Sequence, residues 1–348
     1  MAHEIDMTVK GGAFAAVRVP AWHKLGVVTE EQVDALTLLK MAHADFDIFK
    51  TPVTTHMEHP ETGEMLSAAD PTKVNVCRIH PTENHLQILG QAGTDWQAWT
   101  PRDVLVGFGD AILDVAEPTV SAAGVLYEGR QVFMSFKLPE GILVGGLDRT
   151  DLWMTAHTSF DSSAATTLSV SPVRGVCANT VNMGLKSAIR KHRVTRRANT
   201  KLDIAQAREV LELTYAYAEE VQRIGNALVE KPMTNNDFHA LINKLWGKDE
   251  DATQKARTAW EKTEGTLMDL FAKADTQENI RGTAWAGYNA VVEFKDHFAT
   301  IKGTSDAAKG AGGDEGYRLW RGITSVPAAA DDKDVALRAI CAAVGVAL

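Results

Sequence analysis

Between Asp161 and Asp203 the chain runs for 41 residues without an acidic side chain. That window holds Arg174, Lys186, Arg190, Lys191, Arg193, Arg196, Arg197 and Lys201. Cations placed so close together repel one another unless anions sit between them. The periodicity predicts a helix over about 177–197. On it Lys186, Arg190, Arg193 and Arg197 are separated by four, three and four positions. At about 100° per residue they form one stripe. Asn179 and Asn182 extend the stripe, Lys191 and Arg196 flank it, and Val181, Leu185, Ala188 and Ile189 occupy a face that can pack on a sheet. Phosphates of a nucleic-acid strand match such a ridge. A solvated helix face, neutralisation by the acidic remainder of the chain or by a neighbouring subunit, or binding of another anion would account for the same residues.

The segment just before the ridge adds groups suited to a single strand. Trp153 and Phe160 could stack bases, and Ser159, Ser162, Ser163 and Thr166 could contact phosphates. Core packing is the plainer role for the two aromatic rings. Cys177 lies where the basic helix should begin, a place that favours thiolate. With His157 or His192 near in sequence it could form a Cys/His nucleophile, although a buried structural thiol is the commoner state of a lone cysteine.

Other chemistry has little support. The chain contains no GxxxxGK[ST], no GxGxxG, no GxSxG and no HExxH. Seven of the eleven histidines fall in the first 85 residues, and His56 and His59 could offer two metal ligands. No cysteine or carboxylate pattern completes that pair, so neither a metal nor a cofactor is expected. The Trp22-His23-Lys24-Leu25-Gly26 string reads as a cap or plug with no chemical role.

A chain of 348 residues with 45% hydrophobic residues can bury a substantial core. Its formal charge is −9, which argues against a generally basic nucleic-acid coat. The window alone carries +8, so the rest carries −17, and the positive charge is concentrated. No apolar run approaches the roughly 18 residues needed to cross a bilayer. No secretory signal is visible at the start, and three scattered cysteines suit a reducing cytoplasm.

The elements that must position these residues follow from period and turn signals. A helix is predicted at 32–43, strands at 73–80 and 85–90 around the turn Pro81–Asn84, and a helix from Pro101 to about 113. Strands at 118–127, 131–138, 151–160 and 165–173 should form an antiparallel meander, with Asp161-Ser162-Ser163 as a hairpin tip. Helices follow at 203–229, 235–246, 250–273, 276–301 and 333–347. The fold class expected is α+β: an antiparallel β-meander with a packed basic helix, then a mainly helical C-terminal region. The division expected is 1–202 for the α+β nucleic-acid-binding core and 203–348 for the helical domain, with a flexible loop at 303–316.

Four blocks carry a resemblance: MAHEID at 1–6, AWHKLG at 21–26, SFDSSAATTLSVSPVRGVCANTV at 159–181 with the basic run after it, and TAWAGYNAVVEFKDH at 283–297. Together they resemble the phage/plasmid-like family of uncharacterised proteins. The order of strand meander and basic helix is more loosely similar to the core of single-strand annealing proteins of the Erf, RecT and Red-beta type. That resemblance implies ATP-independent binding and annealing of single-stranded DNA by a homo-oligomeric ring or filament, without covalent catalysis and without a membrane, in the cytoplasm of a bacterial host. The alternative is a structural or host-interaction phage protein whose basic helix docks on an acidic partner.

Overall fold

The computed structural model describes residues 4–109, 119–186, 188–197, 200, 204–247, 251–298 and 329–348. They form two compact units, Met1–Glu140 with Asp151–Tyr215 and Gly141–Thr150 with Ala216–Leu348. The architecture is α+β. No helix among the described residues is long and apolar enough to cross a membrane.

In the first unit, strands β1 (Met7–Thr8) and β2 (Gly11–Gly12) make a small ribbon. Strands β3 (Phe14–Val17) and β4 (Val27–Thr29) lead to helix α1 (Ala35–Met41). Three strands, β5 (Phe49–Glu58), β6 (Met65–Ile79) and β7 (Leu86–Gly93), form a separate antiparallel sheet. The expected meander is present as β8 (Thr119–Leu126), β9 (Gln131–Lys137), β12 (Trp153–Ser159) and β13 (Thr166–Ser171). The hairpin β10 (Ile142–Val144) and β11 (Asp148–Thr150) interrupts it and counts with the second unit. Helix α2 (Ala178–Lys186) and strand β14 (Arg190–Val194) follow the meander. The main sheet has the order β14-β13-β12-β9-β8-β3-β4.

Alternation on β9 puts Val132, Met134 and Phe136 on one face, but Phe133 and Ser135 on the other face are buried as well. Both faces are therefore covered. Val181 and Ala178 of α2 pack with Phe14, Ala122, Leu126 and Phe133 of the sheet. On the opposite side α1 lies against β3 and β8, and the helical turn Arg102–Val106 lies against β12. Residues 110–118, where the sequence extends that helix to 113, lie outside the described residues, as does the loop expected at 303–316.

The 177–197 helix is the main correction. Helix α2 ends at Lys186, and Arg190–Val194 pairs antiparallel with Thr166–Val170 as an edge strand. Gly184 weakens the last turn, at about 1 kcal/mol relative to alanine. Continuing the helix would also stack four like charges at i, i+3 and i+4. A strand instead turns successive cations to opposite faces, and its backbone satisfies the outer edge of β13. The helix is thus packed on the sheet as expected, but the basic run is not part of it.

The second unit holds helices α3 (Ile204–Val229, from Ala216 onward), α4 (Asn235–Trp246), α5 (Gln254–Lys273), α6 (Ala284–Glu293) and α7 (Ala329–Val344). A capping box between Thr234 and Asp237 starts α4. The helix expected at 276–301 is broken: a 3-10 turn spans Asp275–Ile280, and α6 begins after its cap, Thr283, which accepts from Ala286 N. Phe238 and Phe271 stack at 4.4 Å in the core, which also takes in Val144, Trp285 and Ile340. Hairpin β10–β11 is fastened by Gln222 and Asn226, whose side-chain oxygens accept from Leu143 N and Gly145 N at 2.9 and 2.6 Å.

Candidate nucleic-acid interface

Strand β14 presents Arg190, His192 and Val194 to one face of the main sheet and Lys191 and Arg193 to the other, as the register with β13 requires. Same-face neighbours are about 7 Å apart along a strand. Arg190, Lys191, Arg193 and, just beyond the strand, Arg197 are exposed. Among the described residues none of these four forms an ion pair with a carboxylate. The strand is an edge of its sheet. A charged edge of this kind also discourages pairing with other sheets.

The other residues expected at the interface are deployed differently. Arg196 is 7% exposed. Its Nη1 donates to the carbonyls of Gln97 and Trp99 at 3.2 and 2.8 Å, and its Nη2 to Thr158 Oγ1 at 2.6 Å. The rings of Trp96, Trp99 and Phe160 surround the guanidinium at 4.8–5.3 Å. Burial pushes its pKa down to about 9. Phe160 is fully buried and also packs edge-on against Phe46. Neither residue is available to a nucleic acid. That corrects their assignment, because the sheet needs both to close over this side.

Arg174 is half-buried, with its pKa lowered by desolvation. Its Nε donates to Ser121 Oγ at 2.9 Å, and its Nη2 to the carbonyl of Val19 at 2.9 Å. Its guanidinium lies 5.6 Å from the Trp153 ring, and Lys137 Nζ lies 5.7 Å from the same ring. Trp153 is half-buried and shares a sheet face with Lys191, but two strands away. A Cβ on Gly184 of α2 would lie 3.1 Å from Ser171 Oγ, on the strand between them. The structure therefore groups Arg190, Lys191, Arg193 and Arg197, and sets Trp153 and Arg174 apart. Lys186 ends α2, and Lys201 lies outside the described residues.

A family profile described as a domain of unknown function (DUF932) matches residues 88–321, about two-thirds of the chain. The chain belongs to the DUF932 family. The match encloses β14 and the whole acid-free window. No curated protein matches the chain.

The remaining candidates within this DUF932 chain have structural partners. Ser159 Oγ donates to Ala164 O, Ser163 binds Asp161 and Thr166 binds Thr158, so these hydroxyls build the hairpin tip. Cys177 is fully buried, with Sγ 3.4 Å from Thr180 Oγ1, and Thr180 Oγ1 accepts from the amides of Val176 and Cys177 at the start of α2. His157 bonds Gln131 Oε1 through Nε2 at 3.0 Å, and burial holds its pKa at about 4. His23 accepts from Leu25 N at Nδ1 and donates from Nε2 to Val176 O at 3.0 Å. The 21–26 string thereby ties the β3–β4 crossover to the start of α2. Gly26 is obligatory there, with φ +76° and Phe14 O only 2.0 Å from where a Cβ would stand.

His56 and His59 do not converge on a metal: His56 Nδ1 binds Ser67 Oγ, and His59 Nδ1 accepts from the amides of Glu61 and Thr62. A different group, His80, Glu83 and His85, does converge at the β6–β7 turn. Both histidines flank the Pro81–Asn84 turn that period and composition already mark, so cross-hairpin pairing was the signal for it.

Proposed function

We propose that this chain is a single-stranded DNA-binding protein of phage or plasmid origin that anneals strands as a homo-oligomer, without ATP. The observation that carries the reading is the exposed row Arg190, Lys191, Arg193 and Arg197, without carboxylate partners among the described residues, on an edge strand inside an acid-free window. DNA would track this edge through its phosphates, leaving the bases outward for pairing. Copies placed side by side would join their edges into a longer positive track. The acidic remainder would keep DNA on that track. The phage or plasmid origin rests on the four resembling blocks.

The test is fluorescence anisotropy with labelled single-stranded oligonucleotides over a series of salt concentrations. Wild type should bind with a negative log–log salt slope. Each phosphate neutralised on a single strand contributes roughly 0.7 to that slope, so changing Arg190, Lys191 and Arg193 together to Ala should flatten it by about 2. Absence of salt-dependent binding in the wild type overturns the reading.

A second reading has its own observation. The ribbon formed by β5 and β6 carries Glu58, Glu61, Glu64 and Asp70, with no Lys or Arg between Lys50 and Lys73. It is largely exposed, Met57 and Met65 included. Such a ribbon is a suitable acidic partner for the basic edge of another copy. Oligomers that persist without DNA but dissociate when the edge is neutralised would favour this structural role.

A further inference from the structure

The β6–β7 hairpin turns at Pro81–Asn84, and its two flanks bring His80 and His85 together with rings stacked at 5.0 Å. Glu83, on the turn itself, places Oε2 at 3.6 Å from His85 Nδ1. One donor atom from each of His80, Glu83 and His85 lies within 4.8 Å of the others. We propose that this turn binds a borderline divalent transition-metal ion through His80, Glu83 and His85, with Asp6 as the positioning carboxylate behind His80.

The tautomer of His80 supports the assignment. His80 is 5% exposed, and its Nδ1 accepts the Glu83 amide at 3.3 Å, so this nitrogen carries the lone pair. The proton sits on Nε2, which faces Asp6 Oδ2 at 4.0 Å. A ligating imidazole that donates its other N–H to a carboxylate is the usual outer-shell arrangement of protein metal sites, and Asp6 Oδ2 at 4.0 Å would have to close to hydrogen-bond distance to complete it. Asp6 is itself fixed by the buried Arg78, whose Nη2 donates to Asp6 Oδ2 at 2.8 Å. Arg78 Nε in turn donates to Gln87 Oε1 at 2.8 Å. The ion would take the place of two long contacts on Nδ1, from the Glu83 amide at 3.3 Å and Thr82 Oγ1 at 3.4 Å.

The reach is short. Ligands at about 2.0–2.2 Å from a tetrahedral ion stand roughly 3.4 Å from one another, so donors up to 4.8 Å apart must close by as much as about 1.4 Å. Side chains of Glu83 and His85 are 33% and 51% exposed and can rotate to do so, while His80 stays anchored. Three protein donors leave a coordination position for water, the pattern of an open site. Two imidazoles with one carboxylate suit Zn²⁺, Co²⁺ or Ni²⁺ better than Mg²⁺ or Ca²⁺, which want oxygen shells.

The experiment is calorimetric titration of the full chain with Zn²⁺, together with Co²⁺ absorption spectroscopy. One equivalent should bind, with visible d–d bands in the Co²⁺ form. His85→Ala, at an exposed position that leaves folding intact by circular dichroism, should weaken binding at least tenfold, as should Glu83→Gln. Asp6→Asn should weaken it about tenfold through His80. The double variant His56→Ala/His59→Ala should bind as wild type. Lack of stoichiometric binding by the wild type, or unchanged affinity in both His85→Ala and Glu83→Gln, overturns the proposal. Neither result bears on DNA binding at β14.

Discussion

The guanidinium of Arg196 lies 5.0 Å from the centroid of the Phe160 ring, so a cation and an aromatic both suited to DNA bury each other instead. Trp96 and Trp99 complete the enclosure. Arg196 has no carboxylate in hydrogen-bond contact among the described residues, and its charge is held by three hydrogen bonds and three ring faces. Replacing it with Ala removes a donor from the carbonyls of Gln97 and Trp99 around a cavity, while Thr158 Oγ1 keeps its bond to Thr166 Oγ1. The expected loss is about 3 kcal/mol of unfolding free energy, checked by urea denaturation. A loss under about 0.5 kcal/mol would mean the enclosure carries no stability.

The exposed edge should behave in the opposite way. Alanine at Arg190, Lys191 and Arg193 removes side chains that have no carboxylate partners among the described residues. Stability should stay within about 0.5 kcal/mol for each single change, while oligonucleotide affinity falls. Paired measurements of denaturation midpoint and anisotropy on these variants and on Arg196→Ala separate the two roles. An edge variant that unfolds the protein without touching DNA affinity contradicts the division.

Much of the sheet is legible from local pattern, because β9, β12 and β13 alternate and their turns carry marked residues. Strand β14 is not. Arg, Lys and His serve a helix or an edge strand almost equally, and the decision falls to the unpaired outer edge of β13, a partner 20–28 residues away in sequence. The same holds for hairpin β10–β11. Its residues look like a loop until Gln222 and Asn226, distant in sequence, fasten the backbone. Arg196 reads as a surface group by residue type, and Phe160 reads as core or as a stacking ring; residue type does not say that the two cover each other. The β6–β7 turn itself is readable, but the convergence of its flanking histidines with Asp6 depends on a strand pairing and a long-range contact.

His157 should make the fold acid-sensitive. It is 2% exposed, and burial lowers its pKa from 6.5 to about 4. Between these values the unfolded chain binds a proton that the folded chain does not, so stability rises with pH across the window. Acidification from pH 6.5 toward 4 should therefore cost up to about 3 kcal/mol from this group. His157→Gln should flatten that part of the pH–stability curve. An unchanged slope in the variant would show that other groups carry the acid response.

The turn between β8 and β9 offers a sharper steric test. Tyr127, Glu128 and Gly129 all have positive φ, at 52°, 56° and 89°. A Cβ on Gly129 would fall 2.2 Å from Arg78 Cζ. Arg78 is fully buried, commits Nη2 to Asp6 and Nε to Gln87, and stacks 4.7 Å over Phe46, so it cannot retreat without breaking those contacts. Gly129→Ala combines backbone strain with displacement of a buried ion pair, and should cost about 3 kcal/mol or more. Because Asp6 stands behind His80, the same substitution should also lower Zn²⁺ affinity in whatever fraction remains folded. Denaturation and calorimetry on Gly129→Ala measure both effects, and a stable variant with an undisturbed Asp6–Arg78 pair would show that this turn tolerates a side chain.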